Sequence, residues 1–175
     1  RHTRYISVTG VQTCALPIFL HIVGRRSDGY HLLQSAFQLI DWCDTITLTR
    51  ITENEIRHTN PLPGVLPKDD LVVRAATLLK DFCQVKSGVE IHLKKEIPMG
   101  AGLGGGSSDA ATTLIGLNAL WNLQLDSDTL CKLGLQLGAD VPFFIFGKNA
   151  FVEGIGEQMQ EMRLDQRDFL VIFPN

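Results

Sequence analysis

The sequence predicts an α+β domain on three observations. Val89-Glu-Ile-His-Leu-Lys-Lys95 alternates strictly and reads as a strand with one wet face. Runs near 71–83, 107–121 and 127–137 repeat apolar residues at helical spacing. A glycine-rich stretch, 97–111, lies between that strand and the longest of these helices. Strands wet on one face, mixed with helices, indicate a two-layer α+β arrangement; a sheet covered on both faces would show continuous apolar strands.

Taken in chain order, Thr45-Ile-Thr-Leu-Thr-Arg-Ile-Thr52 alternates β-branched residues with others and predicts a strand. Asn60-Pro-Leu-Pro-Gly-Val-Leu-Pro67 is a turn-rich link to a helix over about Leu71 to Cys83, with Leu71, Ala75, Leu78, Leu79 and Phe82 on one face. The strand at 89–95 leads into the glycine stretch. A helix from about Ser107 to Trp121 follows, with Ala110, Ala111, Leu114, Leu117 and Trp121 in register. Ser127 is the expected N-cap of a third helix that carries Leu130, Leu133 and Leu137 and ends at Gly138. Val141 to Phe146 and Ala150 to Val152 read as strands, the second turning at Gly154-Ile-Gly156, and Phe169 to Phe173 reads as a buried strand.

Composition narrows the classes. At 175 residues the chain can bury a core, and 45% hydrophobic with 20% charged residues is ordinary for a globular domain. A net charge of -3 and a pI near 5.9 give no field for nucleic acid or an anionic membrane, so neither is an expected partner. No apolar run reaches the ~18 residues of a membrane span. Cys14, Cys43, Cys83 and Cys131 are widely spaced without a metal-type pattern and read as core residues in a reducing cytosol. Oligomeric state leaves no mark in the sequence.

Chemistry concentrates in Ile97-Pro-Met-Gly-Ala-Gly-Leu-Gly-Gly-Gly-Ser-Ser-Asp-Ala-Ala111. Glycine lets the backbone approach another group closely, and the helix that follows offers unpaired N–H groups and a positive dipole end. Pro98, Met99, Gly100, Ala101, Gly102, Leu103, Gly104, Gly105, Gly106, Ser107 and Ser108 are therefore the candidate phosphate cradle, with Leu103 and Met99 expected to pack it on the core. A P-loop needs Lys after the last glycine, but Ser107 follows Gly106. The dinucleotide pattern fits Gly100, Gly102 and Gly105, with Asp126 some way on, yet the preceding strand has a wet face. The companion motifs of protein kinases are absent.

Pro98, Gly102-Leu-Gly104, Ser107-Ser108 and Ala110-Ala111 resemble the ATP loop of the GHMP small-molecule kinases. The run Gly104-Gly-Gly-Ser-Ser-Asp-Ala-Ala111, with Gly24-Arg-Arg-Ser-Asp-Gly-Tyr-His-Leu-Leu33 and Leu137-Gly-Ala-Asp-Val-Pro-Phe143, is similar to the 4-diphosphocytidyl-2-C-methyl-D-erythritol kinase branch of that family. The resemblance runs from about Phe19 to the last residue. It implies the family's two-layer N-terminal domain (ribosomal protein S5 domain 2-like) over 19–165, with 166–175 opening a C-terminal domain that is largely absent. It further implies ATP and Mg²⁺, transfer of the γ-phosphate to the substrate 2-hydroxyl, and a small-molecule cytidine diphosphate-linked methylerythritol partner. The location would be the bacterial cytoplasm, or a plastid if the source is a plant. Other GHMP kinases, acting on homoserine or phosphomevalonate, are the enzyme alternative; a nucleotide-binding module without catalysis is the alternative for this chain.

The resemblance assigns roles residue by residue. Asp140 becomes the general base and a substrate-binding group; without the resemblance, a turn aspartate bonding its own backbone serves equally well. Tyr30 would stack on cytosine and His31 hydrogen-bond to it; read alone, Tyr30 is a half-buried aromatic and His31 a surface residue. Ser107 or Ser108 would meet Mg²⁺ or phosphate while the other caps the helix. Asp109, expected in the first helical turn, reads as a complement to the dipole. His21, His58 and His92 read as structural. Residues 1–18 fit nothing after them and are expected to be foreign to the domain. Aligned on Phe19, Ala15 stands where the family has its active-site lysine and Pro17 where it has an asparagine.

Overall fold

The computed structural model of the chain describes residues 7–27, 29, 31–165 and 168–172. Among these residues six strands form one sheet: β1 (Ser7–Arg25), β2 (His31–Ile51), β3 (Ile56–His58), β4 (Gly88–Lys94), β5 (Ala150–Gly154) and β6 (Gln158–Glu161). Four helices accompany them: α1 (Leu71–Phe82), α2 (Gly105–Leu120), α3 (Ser127–Leu137) and α4 (Val141–Phe146). The predicted α+β class is the observed one.

The organising element is β2. One of its edges is taken along nearly its whole length by β1, antiparallel from Ser7↔Thr49 to Arg25↔His31. Its other edge is shared: β5 pairs with residues 33–37 and β4 with residues 45–51, both antiparallel. The parallel β3 and the hairpin strand β6 complete the order β3-β4-β2-β5-β6. On the helical side Ile46, Leu48, Val89, Ile91 and Leu93 of the sheet pack with Leu114 and Leu117 of α2 and Val72 and Leu79 of α1, all buried. Alternation along β4 produces this layer directly, since residues 89, 91 and 93 are buried and residues 92 and 94 exposed.

Several expectations need correction. Val141–Phe146 is a helix and not a strand; Pro142 stands at its N-terminal end, where a missing N–H costs nothing, and its residues 141–145 are all buried. An apolar run this short, buried on every side, carries no period that separates strand from helix. The α3 N-cap is Asp126 rather than Ser127: its backbone is extended and its carboxylate accepts the Thr129 N–H at 2.8 Å. Residues 168–172 form no strand, and Leu170 and Ile172 are strongly exposed; the described residues place no strand beside them. Of the face expected for α1, Ala75 and Leu79 are buried, but Phe82 is exposed, and Val72 and Ala76 complete the face. Apart from these corrections, residues 7–18 form the first part of β1, with Cys14 and Ala15 buried.

Candidate active site

The glycine loop is suspended between β4 and α2. Gly100, Gly102 and Gly104 all have φ near +70°, the left-handed region where a side chain is strained. A Cβ on Gly104 would lie 2.7 Å from the Phe144 ring, so this glycine also lets the loop rest on α4. Leu103 is buried with Cys14 and Ile97, as expected, and its carbonyl accepts the Ala15 N–H at 3.1 Å. Met99, by contrast, is half exposed at the loop's lip and does not anchor it. α2 starts at Gly105, two residues earlier than predicted, because Gly104 serves as its N-cap. No side chain caps this end. Its first N–H groups and the dipole behind them are left for a ligand, the arrangement an anion needs.

The loop forms one wall of a cavity of about 440 Å³. Its apolar side is built from Leu62, Val65, Leu71, Val72 and Leu93, and its polar side includes Ser107, Asp109 and Asp140. Pro98 to Ser107 all line it. Asp140 is therefore brought to the same space as the loop by the short connection between α3 and α4. It stands at the N-terminal end of α4, makes no capping hydrogen bond, and its carboxyl is held above the ordinary range by partial burial while one side stays open to solvent. The connection is close to the loop, since a Cβ on Gly138 would lie 3.8 Å from the Ser107 hydroxyl. The β5–β6 turn supports it from behind: a Cβ on Gly156 would come within 3.3 Å of the Ala139 carbonyl oxygen.

The two serines separate. Ser107 lines the cavity and its hydroxyl has no hydrogen-bond partner among the described residues. Ser108 is fully buried and donates to the Thr13 carbonyl at 3.0 Å, so its hydroxyl ties α2 to β1 and does not face the cavity. Neither caps the helix. His31 is exposed at the start of β2. Asp28 and Tyr30 lie outside the described residues.

Sequence reasoning missed an ion-paired group below the loop. Lys95 pairs with Asp44 and, at 2.8 Å, with Asp109, and both carboxylates are almost completely buried. Asp109 thus accepts a hydrogen bond from Lys95 and stands in the second turn of α2, not in the first where it would complement the dipole. Burial pushes its carboxyl up to about 7, with Lys95 pulling the other way. A signal was present: Lys95 continues the inward parity of Val89, Ile91 and Leu93, and Asp44 that of Ile46 and Leu48. Two charged residues at adjacent ends of a buried face must meet each other. His58, read as structural, pairs through Nδ1 with Asp70 at 3.0 Å.

Known proteins share sequence and fold with this chain. Residues 70–148 match the family described as GHMP kinases N terminal domain. The 4-diphosphocytidyl-2-C-methyl-D-erythritol kinase of Polynucleobacter necessarius subsp. necessarius is 76% identical over 160 residues, covering 91% of this chain and 54% of that protein. The protein of the same name from Polynucleobacter asymbioticus is 73% identical over 169 residues, covering 97% of this chain and 58% of its own length. The chain thus spans little more than half the length of the curated relatives it matches. Among solved structures, a crystal structure of 4-(cytidine 5'-diphospho)-2C-methyl-D-erythritol kinase superposes with a TM-score of 0.77 at 35% identity, covering 90% of this chain and 56% of that one. Homoserine kinase from Cytophaga hutchinsonii shares the fold, with a TM-score of 0.69 at 15% identity over 94% of this chain and 54% of that one. The glycine loop thus lies in the segment that matches the GHMP kinases N-terminal domain, in a chain similar over nearly its whole length to proteins named 4-diphosphocytidyl-2-C-methyl-D-erythritol kinase.

Proposed function

We propose that this domain is the nucleotide-binding half of an ATP-dependent phosphotransferase whose acceptor is the 2-hydroxyl of 4-diphosphocytidyl-2-C-methyl-D-erythritol. One observation carries the reading: an uncapped helix start behind a glycine loop and a carboxylate with a raised pKa line the same cavity. The phosphates lie along the loop amides, where N–H groups and the α2 dipole stabilise negative charge. The apolar side of the cavity takes a planar base. The acceptor oxygen attacks the γ-phosphorus in line, its proton passes to Asp140, and the bond to the β-phosphate oxygen breaks to release ADP. Partial desolvation raises the Asp140 pKa and makes it a stronger base than a fully solvated carboxylate. His31, with Tyr30 before it, recognises the cytosine end of the acceptor. The bacterial cytosol is the expected location, in keeping with the relatives' bacterial sources and four free thiols.

Mg²⁺ fits this site as a companion of the nucleotide. The described residues hold no cluster of three or more ligating side chains, but Mg²⁺ takes much of its coordination from phosphates and water. Ser107 is the residue that would hold it, and it would neutralise phosphate charge on a wall that carries several carboxylates.

A second reading, nucleotide binding without transfer, is favoured by one position. Ala15, where the resemblance places a lysine, is buried against the loop with only a methyl group to offer. Following γ-phosphate transfer to the diphosphocytidyl acceptor by phosphorus NMR tests both readings. Transfer that falls about 10²–10⁴-fold in Asp140→Asn, with MgATP affinity retained, supports the kinase. MgATP binding with no transfer, regained in Ala15→Lys, assigns the chain to the second reading, and absence of MgATP binding refutes both.

A further inference from the structure

Both ends of the glycine loop are tied to a single carboxylate on β2. Asp44 Oδ1 accepts the N–H groups of Glu96 and Ile97, at 2.6 and 2.9 Å, where the chain leaves β4 for the loop. Asp44 Oδ2 receives the Lys95 ammonium, which also donates to Asp109 Oδ2 at 2.8 Å in the second turn of α2, just past the loop. The Lys95 Nζ fills the space beneath the loop's far end, only 3.0 Å from where a Cβ on Gly105 would stand. Asp109 Oδ1 is buried with no partner among the described residues, and Lys95 donates to the other oxygen of this carboxylate. We propose that Asp44 and Lys95 are positioning residues for phosphate transfer: they fix the separation of the loop's two ends and thereby the spacing of the amides that face the phosphates.

This proposal rests on the kinase reading, and it makes a demand that general stabilisation does not. Loop amides separated correctly matter in proportion to the phosphates they hold, while the apolar side of the cavity is built from other residues. Lys95→Met and Asp44→Asn should therefore weaken MgATP about tenfold or more, the cost of a lost charge-assisted hydrogen bond, with adenosine affinity unchanged. Removing one member of a buried ion pair can unfold a protein, so the variant Asp44→Asn/Lys95→Met/Asp109→Asn, which discards all three charges at similar shape, is measured beside them. It should fold, as judged by circular dichroism and melting, and still bind MgATP weakly.

Hydrogen exchange supplies a readout that needs no nucleotide. Loop amides over 99–106 should exchange about tenfold faster or more in the folded variants, with the β5–β6 hairpin unchanged. Equal loss of adenosine and MgATP affinity, or unchanged exchange in the loop of a folded variant, overturns the positioning role. A wild-type chain that fails to bind MgATP refutes the kinase reading instead, and the exchange experiment then decides the positioning role alone.

Discussion

Two glycines of the loop share a backbone conformation but differ in what surrounds them. Gly102 and Gly104 have φ of +72° and +68°; nothing lies within 4 Å of a Cβ on Gly102, whereas one on Gly104 would meet Phe144 at 2.7 Å. Alanine at Gly102 should cost about 1–2 kcal/mol, the penalty for the left-handed region. At Gly104 the same penalty is joined by displacement of a buried ring, for a total of about 2–4 kcal/mol. Urea denaturation of Gly102→Ala and Gly104→Ala measures the difference, and equal losses would mean that the loop does not rest on α4. Glycine clustering made the loop legible in the sequence, but its seat on Phe144 was not, because that contact joins residues forty positions apart. Ser107 and Ser108 show the same limit. Adjacent and chemically identical, they differ only in which way the helix turns them, and the start of α2 two residues early settles that.

At the scale of elements, alternation was legible, whereas caps and short apolar runs were not. α1 begins where an acid precedes a helix-periodic stretch, and Asp70 caps it by accepting the Val72 N–H at 3.0 Å. The other oxygen of Asp70 holds His58 of β3, whose ring is buried and whose Nε2 has no partner among the described residues. Asp70 thereby joins the helix to the edge of the sheet. Asp70→Ala should cost about 2–4 kcal/mol, a lost cap plus a buried imidazole left unpaired. Asp70→Asn keeps an acceptor for Val72 and should cost less; equal destabilisation by the two in chemical denaturation would assign the whole effect to charge. α4 escaped prediction for a different reason. Its residues 141–145 are all buried, so burial left no pattern, and only Pro142 hinted at a helix start.

For the whole molecule, the sequence conveyed class, loop and helix order, because each follows from local period and turn chemistry. The long β2, paired by one strand on one edge and two on the other, follows from long-range pairing that no local pattern encodes. The same pairing brings Asp44, Lys95 and Asp109 together in the interior, and this has a measurable consequence for stability. The Asp109 carboxyl is raised from 3.8 to about 7 by burial, partly opposed by Lys95. Between about pH 4 and pH 7 the folded chain therefore holds a proton on Asp109 that the unfolded chain has released. More protons bound in the folded state means stability falls as pH rises through this window, and Asp140, also raised by burial, contributes in the same direction. Asp126 and Glu53 are shifted down and act oppositely, but both are fully solvent-exposed and screened. The Lys95 contribution is present below its unfolded value of 10.5 and is lost only as pH rises through its still higher folded pKa, so it does not shape this window. Melting temperature should therefore decline from pH 5 to pH 7 in the wild-type chain. Asp109→Asn still offers Lys95 an oxygen but has no proton to lose, so its melting temperature should vary less over the same range. Parallel curves for the two proteins would mean that Asp109 is fully ionised in the folded state, with Lys95 outweighing burial at the base of the loop.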